Sequence, residues 1–103
     1  SLFQENEIAT CGVIFTELLR SSKNPKESEK LKTALECFEY LSFEKQDWLE
    51  VACLFAKLKK SGLTSPFQDG IIAYLAIKND CQIWTLDNHF KLIKTVVPSL
   101  KLY

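Results

Sequence analysis

SPFQDGIIAYLAIKNDCQIWTLDNHF, residues 65–90, carries a helix start, an apolar helix, a strand and a second helix start in one run. Ser65 is placed to cap, and Pro66 suits the first helical position, where its missing N–H is not needed. Gln68, three residues after Ser65, completes a capping box. The helix is predicted to run to about Asn79. Gln82–Leu86 is rich in β-formers and follows almost directly. Asp87-Asn88 and a short helix to about Lys94 come next, with Asn88 read as the cap of that helix. Helix, strand and helix in immediate succession read as part of an α/β domain. Two acids, Asp69 and Asp87, fall at its helix starts.

Working outward, residues 7–11 read as a short strand that leads through Gly12 into a helix over about 13–20. Pro25 restarts a helix in which Leu31, Ala34, Leu35 and Phe38 recur at core-facing spacing. Phe38–Phe43 turns into a short strand. The next helix, about 44–60, has Trp48, Val51, Ala52, Phe55 and Leu58 as its buried stripe, with Lys57, Lys59 and Lys60 favourable near its C-terminus. Gly62 ends it. Beyond Pro98 lies a last strand with Leu100 and Leu102 on one face. This order predicts one α/β domain over residues 1–103, with a central, mostly parallel sheet flanked by helices.

A chain of 103 residues supports one modest core. Thirteen basic residues balance thirteen acidic ones, so no overall positive field announces nucleic-acid binding. Cys11, Cys37, Cys53 and Cys81 form no C-x-x-C pair and there is one histidine, which argues against zinc. The cysteines read as reduced core residues of a cytoplasmic protein. No apolar run approaches the ~20 residues of a membrane span.

Three acids occupy related settings. Asp87 follows a strand, on the rim where open α/β sheets bind ligands. Glu17 lies about a turn into the helix after the first strand, and Asp69 lies in the first turn of its own helix, where exposed N–H groups favour negative charge. Convergence has a cost, because two carboxylates about 4 Å apart repel by roughly 4 kcal/mol at an effective dielectric of ~20. A cluster of three must bind a cation, share a proton or spread apart. Oxygen ligands without His or Cys select Mg²⁺ or Mn²⁺. Singly, each acid is also ordinary cap, turn or helix chemistry.

The surrounding residues resemble a known family. Thr10-Cys-Gly-Val-Ile-Phe-Thr-Glu17-Leu-Leu-Arg20 is similar to the second acidic motif of the PIN domain. Ser65-Pro-Phe-Gln-Asp69-Gly-Ile-Ile-Ala-Tyr-Leu-Ala76 resembles its third, and Trp84-Thr-Leu-Asp87-Asn-His-Phe90 its fourth. Their order and spacing suit the short bacterial members, the VapC-type toxins. The resemblance implies a three-layer PIN-like fold and Mg²⁺- or Mn²⁺-dependent cleavage of RNA. It also implies inhibition by a VapB-like antitoxin, and homodimers. By this analogy Glu17, Asp69 and Asp87 are the catalytic metal ligands, and Thr85 orients a carboxylate or water. Arg20 is a candidate for holding phosphate or a partner's carboxylate, and Asn88 has a minor phosphate-contacting alternative to its capping role. His89 reads as solvent-facing or capping, with a general base as its alternative.

The family's opening strand, which ends in a further Asp, has no counterpart in Ser1–Asn6. Two expectations follow. Either the chain is a piece of a longer toxin, or it is a catalytically inactive descendant that acts as a protein-binding module.

Overall fold

Ala9–Thr10 (β1) and Glu39–Tyr40 (β2) pair in parallel, Ala9 opposite Glu39 and Thr10 opposite Tyr40. Parallel strands need a long crossover, which α1 (Gly12–Arg20) and α2 (Pro25–Leu35) supply. The Leu41 amide donates to the Thr10 carbonyl at 2.7 Å, carrying the contact one residue past the ladder. Asn24 caps α2, its side chain accepting from the Glu27 amide at 2.8 Å, with Pro25 in the first turn as the sequence predicts. The ring of Phe15 on α1 meets that of Tyr40 edge to face at 5.3 Å. Of the expected α2 stripe, Leu35 is buried and Leu31 half-buried, whereas Ala34 and Phe38 are exposed.

The computed structural model describes residues 9–83 and 88–102. They divide into two compact units, Ser1–Ser42 and Phe43–Tyr103. The first holds the elements above. The second runs α3 (Lys45–Lys60), α4 (Phe67–Lys78), β3 (Gln82–Ile83), α5 (Asn88–Val96) and β4 (Lys101–Leu102). Here too the strands are parallel, Gln82 opposite Lys101 and Ile83 opposite Leu102, with α5 as the crossover. Both units are thus mixed α/β with parallel pairing, and among the described residues each carries a two-stranded ladder in place of the broad central sheet expected. Of the predicted strand Gln82–Leu86, residues 84–86 lie outside the described residues, as do residues 7 and 8 of the first strand.

α4 is apolar nearly all round and is correspondingly the central helix of its unit, burying Ile71, Ala73, Tyr74, Leu75 and Ala76. Leu58, Phe90, Ile93 and Leu100 close the core around it. At Gly70 the α4 backbone comes so close to the Phe55 ring of α3 that a built Cβ would overlap it, well inside the 3.0 Å that real Cβ contacts respect. Leu63 N–H to Leu58 C=O (2.9 Å) and Gly62 N–H to Lys59 C=O (3.0 Å) close α3, with Gly62 at φ +83° in the left-handed region.

The buried face of α3 keeps Val51, Phe55 and Leu58 of the predicted stripe but takes Asp47 in place of Trp48 and leaves Ala52 outside. Asp47, Val51 and Leu58 are buried, Phe55 is half-buried, and Trp48 and Ala52 are exposed, Trp48 at 48%. Trp48 packs sideways instead, edge to face with Phe43 at 4.4 Å and stacked with Phe67 at 6.4 Å. Phe67 stacks in turn on Phe55 at 5.6 Å. The cysteines depart from expectation as well, because Cys37 and Cys53 are exposed while Cys11 is buried. No described helix is long and apolar enough to cross a membrane.

Candidate functional site

α4 begins differently from its sequence signature. Pro66 is the cap position, and the Ser65 hydroxyl donates to the Pro66 carbonyl at 3.0 Å instead of accepting from the helix. The cap residue gives α4 no side-chain hydrogen bond, and Asp69 is the acid of its first turn, at the positive end of the helix dipole. The Asp69 carboxylate is largely covered, with 17% of the side chain exposed. Its Oδ2 lies 3.0 Å from Nδ1 of His89, in the first turn of α5. The His89 side chain is half-exposed. Two helix starts, 20 residues apart, therefore deliver one carboxylate and one imidazole to the same point.

Glu17 sits on α1, in the first unit. It is half-exposed and pairs with Arg20 at 3.3 Å on the same helix. An exposed pair of that kind contributes about 0–1 kcal/mol, so both groups stay available to a stronger partner. Asn88 is the first residue of α5, a position inside the helix and not the cap expected of it. Asp87 and Thr85 lie outside the described residues. Among the described residues no group of three or more His, Cys, Asp or Glu side chains gathers as a metal cluster. The candidate donors are nonetheless all carboxylates, the ligand type that suits Mg²⁺ or Mn²⁺. Asp69 fits that chemistry, because it is covered, faces a positive helix end and has one oxygen already held by a neighbour.

A second polar centre lies deeper in the same unit. Asp47, on α3, is fully buried. One oxygen accepts from the Glu44 amide at 2.7 Å and closes a capping box at the start of α3. The other accepts from the Tyr74 hydroxyl at 2.7 Å and from the Lys78 ammonium at 2.5 Å, both on α4. The Tyr74 hydroxyl also lies against the Glu50 carboxylate. The Lys78 ammonium, then the Glu44 amide and the Tyr74 hydroxyl, hold the Asp47 carboxyl down at about 2. Burial, then its carboxylate neighbours, pushes the Tyr74 phenol well above its ordinary range, and Asp47 raises the Lys78 ammonium. Each of these groups has a hydrogen-bond partner within the network, which makes it a brace between α3 and α4.

Neither contact is apparent from residue spacing. Asp69 and His89 are joined only by the packing of α4 and α5, and the sequence signal is limited to their shared place at helix starts. Asp47 has a local signal, since it stands three residues after Glu44 at the head of α3, but nothing local marks its partners Tyr74 and Lys78.

No family model matches the chain, and no curated protein matches it. Solved structures do. A chain of VapBC2 from Rickettsia felis, bound to a DNA fragment from their promoter, is 26% identical with a TM-score of 0.75, over 92% of this chain and 72% of that one. A chain of VapBC-1 from nontypeable Haemophilus influenzae is 19% identical with a TM-score of 0.79, over 100% of this chain and 78% of that one. The fold is VapC-like.

Proposed function

We propose that this chain is a metal-dependent endoribonuclease of the VapC type, the toxin of a toxin–antitoxin pair, with the three-layer PIN-like architecture that the motifs imply. The observation that carries the reading is a coincidence of independent signals. The acidic motifs ending on Glu17, Asp69 and Asp87 suggest a PIN domain, and the fold is like that of VapBC chains over nearly the whole length. Its partners on this reading are RNA and a VapB-like antitoxin, its setting the cytoplasm, and its assembly a homodimer.

Glu17, Asp69 and Asp87 would hold Mg²⁺ or Mn²⁺ through hard oxygen donors. The chemistry supplied by the cation when bound is Lewis-acid polarisation of a phosphodiester oxygen. The protein's own contribution is positional. Asp69 stands in the first turn of α4, at the positive end of the helix dipole, and Arg20, which pairs with Glu17 at the surface, offers a bidentate donor to phosphate. Thr85 would orient a carboxylate or water, and Asn88, exposed at the head of α5, would contact phosphate. The neutral net charge means that such local groups, and not a global field, must recruit RNA.

The test is cleavage of a structured RNA by the purified chain with Mn²⁺, beside Asp69→Asn. The variant should fold normally and lose more than the ~100-fold that even an outer-shell change costs at metal sites. Equal cleavage by both chains would remove Asp69 from the site. A wild-type chain that neither cleaves RNA nor binds Mn²⁺, yet forms a stable complex with an antitoxin-like partner, would make it a binding module.

A further inference from the structure

We infer that His89 is a positioning residue that turns Oδ2 of Asp69 toward α5, so that the carboxylate meets a cation end-on through Oδ1. The inference rests on the reading of Asp69 as a metal ligand and deepens it. It begins from the 3.0 Å separation of His89 Nδ1 and Asp69 Oδ2. An ionised carboxylate only accepts hydrogen bonds, so this contact is a bond only when the proton sits on Nδ1. The neutral ring is therefore the Nδ1–H tautomer, and Oδ2 is the oxygen that faces α5.

The consequence is geometric. A carboxylate with two open oxygens can chelate one cation through both, as large, loosely coordinated Ca²⁺ tolerates. Mg²⁺ and its close analogue Mn²⁺ favour six-coordinate sites with near-octahedral angles, which a four-membered chelate ring strains. Tying Oδ2 to an imidazole leaves Oδ1 as the monodentate donor such a site needs. It also fixes the rotation of the carboxylate. Asp69 is held from one side by the α4 turn it belongs to and from the other by α5, so its orientation depends on the packing of two helices. Supporting partners of this kind are typically worth about 10–100-fold in metal affinity.

Asp69 and His89 are both half-covered or more exposed than core residues, so His89 can be replaced without opening a cavity. The chain has one histidine, which makes its imidazole signals unambiguous. The experiment uses the full chain in two arms. In the first, nitrogen NMR of the metal-free protein with the ring neutral reads the tautomer. The wild type should show Nδ1–H, and Asp69→Asn should lose that preference. An Nε2–H ring in the wild type would overturn the inference.

In the second arm, Mn²⁺ affinity is measured by electron paramagnetic resonance for the wild type, His89→Ala, His89→Gln and His89→Asn. Thermal melts run alongside and should be unchanged. The amide nitrogen of Asn falls where Nδ1 lies, whereas that of Gln falls where Nε2 lies. Ala and Gln should weaken Mn²⁺ binding by about 10–100-fold, and Asn should restore most of it. Affinity in His89→Ala equal to that of the wild type, or rescue by Gln and not by Asn, would overturn the inference while leaving Asp69 as a ligand. A wild-type chain that binds no Mn²⁺ at all fails earlier, at the proposed metal site, and takes the inference with it.

Discussion

Replacing Gly70 by alanine sets two opposed effects against each other at the centre of the second unit. In a helix interior, glycine is about 0.8–1.0 kcal/mol worse than alanine, so the exchange by itself should stabilise α4. The new methyl, however, would be built into the Phe55 ring, overlapping two of its carbons and standing 3.2 Å from a third. Phe55 has only two side-chain torsions with which to retreat, and its ring is stacked at 6° on Phe67. Overpacking of this kind costs about 1–3 kcal/mol. Lifting the ring from Phe67 forfeits about another 0.5–1.5 kcal/mol. The overlap wins, with a net loss of about 2 kcal/mol, which for a domain of this size lowers the melting point by about 8 °C or more. Urea denaturation followed by circular dichroism gives the free energy. The decisive comparison is Gly70→Ala in a Phe55→Ala background, where the obstacle is gone and the same exchange should stabilise by about 1 kcal/mol. A Gly70→Ala chain more stable than the wild type would refute the reasoning.

The brace between α3 and α4 should show in acid and in alkali. Asp47 is held below its unfolded value of 3.8, so its stabilisation is complete above that pH and is lost as the pH falls toward about 2. Tyr74 and Lys78 are raised above 10.0 and 10.5, so their contribution is complete below those values and fades as the pH rises past them. Stability curves for the wild type and Asp47→Asn should therefore converge at low pH, and a constant separation down to pH 2 would contradict the assignment. At Gly62 a Cβ has open space, so Gly62→Ala should cost only the left-handed backbone term, about 1 kcal/mol, and Gly62→Asn less. Equal urea midpoints for the Ala and Gly chains would rule out a conformational origin.

Helix positions were largely legible in the residues. α3 was expected over about 44–60 and spans Lys45–Lys60, and α4 was expected to end near Asn79 and ends at Lys78. Apolar spacing and the glycine at position 62 carry that information locally. The exchange of Trp48 for Asp47 on the buried face of α3 was not legible, because hydropathy gives the inside to tryptophan and the outside to aspartate. The assignment reverses once Lys78 and Tyr74, more than 25 residues away, compensate the carboxylate. The start of α4 misled for a smaller reason, since the Ser65 hydroxyl found a carbonyl next door before it found the helix. Of the candidate site, Asp69 was readable from its place in a first turn. Its bond to His89 was not, because helix packing alone brings them together.

Asp47 does two jobs with one side chain, closing the head of α3 and gripping the middle of α4. That shared duty constrains how related sequences can diverge. Asparagine at this position keeps an acceptor for the helix head but strands the lysine charge, and an apolar residue loses both contacts. Neutral drift away from aspartate thus requires paired changes, at position 47 and at 74 or 78, arriving close together. Covariation among these three positions in relatives of this chain would be the historical trace of the brace.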